Sequence, residues 1–296
     1  MKPRIAIIGP GAVGGTVAAW LLHAGHDVTL CARTPFADLV VETPDVVLRA
    51  QPPIWTEPAA AAPVDWVFIA TKTYAVAGTA AWLDPLMGAD TRVAVLQNGV
   101  EHIARFAPFV PEGRILPVVV DVPAERDAPG RIRQRRAGTM LVPGSDAGRA
   151  FAALFAGTAI AVTETADLSA ALWRKLAINV AGAVSALAEE GGGVAWREPA
   201  ARLMRALVAE CIAVGRAEGA MLDDDLTEAV VAHYRRGHRD AINSLHADRS
   251  AGRPMEWDAR NGVVGRLGRR HAITTPVSDA VSDLLAAIDE RASGAE

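Results

Sequence analysis

Short, nearly continuous apolar runs punctuate the first half of the chain: RIAII at 4–8, DVTLC at 27–31, DWVFIA at 65–70, RVAVL at 92–96 and ILPVVV at 115–120. Runs of this length with little polar alternation predict strands of a parallel sheet covered on both faces. Segments 12–24 and 100–107 are long enough for crossover helices, so strand and helix alternate as in a doubly wound sheet. Residues 131–143, RIRQRRAGTMLVP, change character. Two short runs flank an Ala-Gly pair there, which predicts an antiparallel hairpin at the sheet edge. Past about residue 167 the strand signals stop. DLSAALWRKLAINVAGAVSALAEE predicts a long helix with Asp167 as N-cap and Gly191 to Gly193 ending it. Segments 199–219, 223–242, 254–270 and 276–293 read as further helices, with Pro254 opening one that carries Glu256 in its first turn. The final RASGAE reads as a fraying end. The expected architecture is therefore α/β: a sheet domain over 1–167 followed by an all-helical domain over 168–296.

Composition narrows the setting. With 296 residues, 51% of them hydrophobic, a buried core divided between two domains is the natural expectation. A net charge of −4 gives no electrostatic case for a nucleic-acid partner. The two cysteines, Cys31 and Cys211, lie far apart and form no CxxC pair, which argues against a disulfide framework or zinc site and fits a reducing cytoplasm. No stretch approaches the ~20 uninterrupted apolar residues of a membrane-spanning helix, and the N-terminus lacks a signal-peptide pattern. A soluble cytoplasmic protein without a membrane partner is expected. Apolar helix faces in the second half are compatible with a homodimer.

The apolar run at 4–8 breaks into Gly9, Gly11 and Gly14, spaced G-x-G-x-x-G between a predicted strand and a predicted helix. In that context the first glycine permits a tight turn, the second lets backbone approach a pyrophosphate, and the third lets helix and strand pack closely. The helix N-terminus would then offer amides and a partial positive charge to the phosphates. A Rossmann-type dinucleotide site is the reading. The predicted second strand ends in Cys31 rather than a carboxylate, with Arg33 just beyond. That favours NADP(H) over NAD, since Arg33 can form charge-assisted bonds to a 2′-phosphate.

Other residues bear chemistry but leave alternatives open. Lys72 in ATKTYAV and Asn98 in LQNGV follow strand ends, where ligands sit in open parallel sheets. Lys72 fits an exposed loop equally, and Asn-Gly is a common turn. Lys175 and Asn179 stand four apart and so project from one helix face. Lys175 is either snorkelling to solvent or held at a cleft. Ser244 and Asp248 are also four apart, while Asp248 and Glu256 fit ordinary helix-end charges as well.

In order, GPGAVGG, Arg33, TKTYAV, QNGV, WRKLAINVAG and the span from Ser244 to Glu256 followed by NG resemble the ketopantoate reductase (2-dehydropantoate 2-reductase) family over essentially the whole chain. The resemblance implies a 6-phosphogluconate-dehydrogenase-like arrangement of sheet and helical domains. It also implies NADPH-dependent reduction of a small-molecule 2-oxo acid to a 2-hydroxy acid, 2-dehydropantoate or a branched relative. Lys175 matches the family's general acid. Glu256 matches a glutamate that orients or charges it, and Asn98 a residue at the cofactor–substrate junction. Lys72 matches a residue near the nicotinamide, Asn179 and Ser244 match substrate contacts, and Asp248 an acidic position. One departure stands out: Ala183 replaces a further family asparagine, and GGG replaces another polar contact region. Such a loss bears on substrate preference rather than reaction class. Two competing readings are an opine-type or 3-hydroxy acid dehydrogenase and a non-catalytic NADP-binding sensor. The combination of Lys175, Asn98 and Glu256 argues against the sensor, which needs no proton donor.

Overall fold

The computed structural model describes residues 2–293. They fall into two compact units, one running to Gln97 and resuming over Glu101–Leu168, the other comprising Asn98–Val100 and the chain from Ser169 onward.

In the first unit the strands are β1 (Arg4–Ile8), β2 (Asp27–Cys31), β3 (Leu39–Glu42), β4 (Val47–Ala50), β5 (Ile54–Trp55), β6 (Val64–Ile69), β7 (Met87–Val95), β8 (Ile115–Pro117), β9 (Val119–Asp121), β10 (Ala124–Ala128), β11 (Arg131–Gln134), β12 (Gly138–Pro143) and β13 (Ile160–Thr165). Six of them form a parallel sheet in the order β5-β2-β1-β6-β7-β8. Its central strands carry unbroken apolar runs, Ile5–Ile8 in β1 and Trp66–Ile69 in β6, because both faces are covered there. Along β1, Ile5 and Ile7 join one hydrophobic cluster while Ala6 and Ile8 join another. Trp66 and Phe68 of β6 pack with Phe151 and Phe155 in the first of these clusters, whereas Val67 and Ile69 enter the second. Helix α1 (Ala12–His23) connects β1 to β2, α2 (Val76–Leu86) connects β6 to β7, and α3 (His102–Phe106) is a crossover of only five residues.

The hairpin expected at 131–143 does not form. Both strands exist, but β11 pairs antiparallel with β10 and parallel with β3, while β12 pairs parallel with β13 and antiparallel with β9. They belong to a four-stranded and a three-stranded sheet respectively. The linker is fixed by the buried Gln134, whose amide nitrogen donates to the Arg136 carbonyl and whose Oε1 accepts from Trp20 Nε1 at 2.8 Å. A side chain committed to α1 holds the chain open where a tight turn would close it. Helix α4 (Asp146–Leu154), capped by Ser145, leads from β12 to β13.

The second unit is helical among its described residues: α5 (Leu168–Ala188), α6 (Glu198–Ala217), α7 (Leu226–Arg236), α8 (Ser244–Ser250), α9 (Val263–Arg270) and α10 (Pro276–Ser293). A 3₁₀ segment at Gly192–Trp196 and a π-helical turn at Asp258–Gly262 interrupt the series. Its core gathers Trp173, Leu176, Val180 and Val184 of α5 with Met204, Leu207 and Cys211 of α6, and Val100 packs against it. Helix α5 ends at Ala188, before the glycines expected to stop it, because Glu189 already has a positive φ of 53°. The expected fraying at 291–296 overlaps the end of α10, and residues 294–296 lie outside the described residues. No helix of the described residues is long and apolar enough to cross a membrane.

Candidate active site

The turn out of β1 shows three glycines used in three ways. Gly9 has φ +85°, its amide donates to the Cys31 carbonyl at 3.1 Å, and a Cβ there would meet Thr71 Cγ2 at 2.7 Å. Gly14 is packed shut: a Cβ would lie 2.3 Å from the Gly9 carbonyl oxygen and 2.8 Å from Ala70 Cβ. At Gly11 a Cβ would meet nothing within 4 Å. The loop is therefore tight on the protein side and open at one backbone position, the geometry a close-lying phosphate group needs. Helix α1 follows Gly11 as its N-cap, with no side-chain cap and no acidic residue in its first turn, so no side chain of that turn compensates its terminal dipole. These residues fit a dinucleotide.

At the end of β2, burial pushes the Cys31 thiol up to about 12, so this position carries no negative charge at neutral pH. Arg33, two residues on, is exposed. Lys72 is half-buried where the chain leaves β6 and caps a short 3₁₀ turn, Thr73–Ala75. Its carbonyl accepts from the Ala75 amide at 3.0 Å and from Gln97 Nε2 at 3.4 Å. Thr71 and Gln97, which the sequence does not single out, adjoin this loop. Gln97 Nε2 donates to Thr71 Oγ1 at 3.0 Å, Arg105 Nη1 donates to Gln97 Oε1, and His102 Nε2 lies 2.8 Å from the Gln97 carbonyl. This buried amide locks together the loops after β6 and β7, and with them the backbone beside Gly9.

The helical unit collects the remaining candidates. Asn98 is half-buried, and its Nδ2 donates to Glu256 Oε2 at 3.2 Å. Glu256 itself is only 5% exposed. It does not sit in a first helical turn, as its position after Pro254 suggested; it lies in an irregular stretch ahead of the π-helical turn. In that stretch the amide of the buried Met255 donates to Asp289 Oδ1 at 2.8 Å. Inserted π turns recur at functional sites because they re-aim the residues beside them.

Lys175 and Asn179 are half-buried on α5. Helical spacing puts Gly182 on the same face as both. A Cβ at Gly182 would meet Tyr234 Oη at 2.5 Å, Asn243 Nδ2 at 2.9 Å and Arg260 Nη2 at 3.2 Å, so this face looks onto α7, the start of α8 and the π-helical turn. Ser244 begins α8, exposed, with its Oγ accepting from Arg260 Nη1 at 3.0 Å. Asp248 is buried, and its Oδ1 accepts from Arg253 Nε at 3.0 Å, an ion pair that ties down the turn after α8. The arrangement thus draws Lys175, Asn179 and Ser244 around one face of α5, couples Asn98 to Glu256, and engages Asp248 with an arginine.

Residues 5–146 match the family described as ketopantoate reductase PanE/ApbA, and residues 167–289 match its C-terminal counterpart. The chain belongs to the ketopantoate reductase family. It is 55% identical over 282 residues to the 2-dehydropantoate 2-reductase of Caulobacter vibrioides, covering 95% of this chain and 97% of that one. Identity to the 2-dehydropantoate 2-reductase of Mycobacterium tuberculosis H37Rv is 40% over 292 residues, covering 98% and 99%. The crystal structure of a PanE/ApbA family ketopantoate reductase from Ralstonia eutropha JMP134 matches with a TM-score of 0.90 at 30% identity, over 98% of this chain and 99% of that chain.

The residue that the sequence least reveals is Arg260. It is 1% exposed and heads the fully buried side chains by size. Burial lowers its proton affinity, while Tyr234, Glu256 and Asp248 act in the other direction. An arginine two places before a glycine in a helical stretch reads as solvated, and the only available signal was its place directly after the Glu256 segment.

Proposed function

We infer that this enzyme reduces 2-dehydropantoate to pantoate, with NADPH preferred over NADH. The observation that carries the reading is the buried Glu256 carboxylate held by Asn98 in the same unit that presents Lys175 and Asn179 on one face of α5. A carboxylate near an amine favours the protonated state of that amine. The open Gly11 backbone and the uncapped start of α1 support dinucleotide binding by the sheet unit, and Arg33 with the neutral Cys31 supports the 2′-phosphate.

When bound, NADPH supplies a hydride to the keto carbon. Lys175 holds the keto oxygen through its ammonium, stabilises negative charge as it develops there, and passes a proton from Nζ to that oxygen. Ser244 and Asn179 donate to the substrate and fix its orientation, which keeps the keto carbon in line for reaction. The Glu256 carboxylate favours the ammonium form of Lys175, which regains its proton from solvent after turnover, and Asn98 aims the Glu256 carboxylate. Asp248 acts through Arg253 in holding the turn after α8.

The test is steady consumption of NADPH with 2-dehydropantoate, compared with a panel of branched 2-oxo acids and with NADH. Lys175→Ala should lower kcat by about two to four orders of magnitude, the range for a positioned acid, with NADPH affinity retained. Loss of NADPH binding in step with kcat would instead assign the lysine to the cofactor.

A further inference from the structure

A fully buried guanidinium carries five N–H donors, and leaving them unsatisfied is costly. Arg260 directs its donors to two places. Nη1 donates to Ser244 Oγ at 3.0 Å, and Nη2 donates to the Asn179 carbonyl at 3.1 Å. Nε is buried without a partner. Both recipients are residues that the proposed reaction uses to hold substrate, yet Arg260 itself is shielded from solvent while Ser244 is exposed.

The direction of these bonds matters. A serine hydroxyl has one hydrogen and two lone pairs. When a cation donates into one lone pair, the hydrogen turns away from the cation, and Ser244 becomes an outward-pointing donor. Polarisation by a charged partner in a low-dielectric setting strengthens that donor toward an anion. Asn179 is held by the same guanidinium through its backbone. Its side-chain Nδ2 is a buried donor with no partner among the described residues. Two donors thus await an acceptor, and one cation holds both in place. The close approach depends on Gly182, where even a Cβ would come within 3.2 Å of Nη2.

We propose that Arg260 is the positioning residue of a carboxylate subsite in the helical unit, setting Ser244 and Asn179 as donors to the carboxylate of the 2-oxo acid. This rests on the reductase reading above and adds to it a residue that never touches substrate. The guanidinium charge lies behind Ser244, so it also draws the anion electrostatically without direct contact.

Arg260→Met keeps volume and removes both donors, and Arg260→Lys keeps the charge but cannot span both recipients. The expected result for Arg260→Met is a KM for 2-dehydropantoate raised about 10- to 100-fold, the worth of bonds to charged groups, with the Kd for NADPH within about twofold of the parent. Ser244→Ala should raise KM similarly, and the double variant should be little worse than either single change, because both remove one interaction. Arg260→Lys should fall between and covers the case in which Arg260→Met does not fold. Isothermal titration of pantoate into NADP⁺-saturated protein reads the same subsite without turnover. A parent that binds pantoate but does not turn over 2-dehydropantoate defeats the reductase reading alone. An unchanged KM and pantoate Kd in Arg260→Met and Arg260→Lys, fully multiplicative effects with Ser244→Ala, or no pantoate binding by the parent would overturn the role assigned to Arg260.

Discussion

Replacing Gly11 and Gly14 separately by alanine should split one loop into its two tasks. At Gly14 the new methyl carbon would sit 2.3 Å from the Gly9 carbonyl oxygen and 2.8 Å from Ala70 Cβ. Both obstacles are rigid, one a backbone oxygen and the other a side chain with no torsion to adjust, so β1 and α1 must separate. Overpacking of this kind costs about 1–3 kcal/mol, and the backbone clash argues for the upper end. For a unit of this size ~3 kcal/mol corresponds to a fall in Tm of roughly 6–12 °C. At Gly11 the methyl meets nothing within 4 Å, and φ is −77°, so alanine fits without strain and Tm should hold. The methyl would occupy the open backbone approach, removing about one charge-assisted bond to phosphate, worth ~1.5–3 kcal/mol. NADPH should then bind about 10- to 100-fold more weakly. Thermal unfolding without ligand and fluorescence titration of NADPH measure the two effects independently. A Gly11→Ala protein that binds NADPH like the parent, or a Gly14→Ala protein with an unchanged Tm, would refute the division of labour.

Two further outcomes are expected. Arg33→Ala should weaken NADPH by about 10- to 100-fold and leave NADH within about twofold, since only the former carries a 2′-phosphate for the guanidinium; an unaltered preference between the two would remove the ground for choosing NADPH. His246 is buried, and desolvation followed by the nearby Arg249 charge holds its pKa below the ordinary 6.5. The folded protein therefore binds this proton less readily than the unfolded chain, so its contribution is complete above about pH 6.5 and is lost as pH falls below it. Urea midpoints measured at pH 7.5 and 5.5 should differ less for His246→Gln than for the parent, and an identical difference would show that His246 does not carry the acid sensitivity.

What could be read in advance follows from where burial is two-sided. Most strands of the parallel sheet stood out for the reason β1 shows, where Ile5, Ala6, Ile7 and Ile8 are all buried on alternate faces; the two-residue β5 did not, and the run at 115–120 divides between β8 and β9 of different sheets. The glycine loop was legible because backbone sterics alone dictate its residues. The smaller sheets were not. AERDA has no buried side chain and RIRQ alternates exposed with buried ones, and pairing between β11 and β3 spans some ninety residues of sequence, which no local pattern encodes. The hairpin misreading came from the same source, since local alternation is indifferent to which strand supplies the partner. In the candidate site, Lys175, Asn179, Ser244 and Asn98 were singled out as residue types at helix faces and strand ends. The Glu256 segment was misplaced because Pro254 signals a helix start, whereas the chain stays irregular through Glu256, with the Met255 amide bonded to Asp289 from distant sequence. Arg260 was invisible because only three-dimensional packing converts a charged helix residue into a buried one.

The detour of Asn98–Val100 into the helical unit has an engineering corollary. The backbone crosses from one unit to the other after Gln97, returns at Glu101 and departs for good after Leu168, so no single cut yields two self-sufficient fragments. A chimera spliced at 168 would graft a foreign tripeptide beneath Val100's apolar seat and mismatch the amide that caps Glu256. Modular shuffling between relatives must therefore transplant 98–100 together with the C-terminal half.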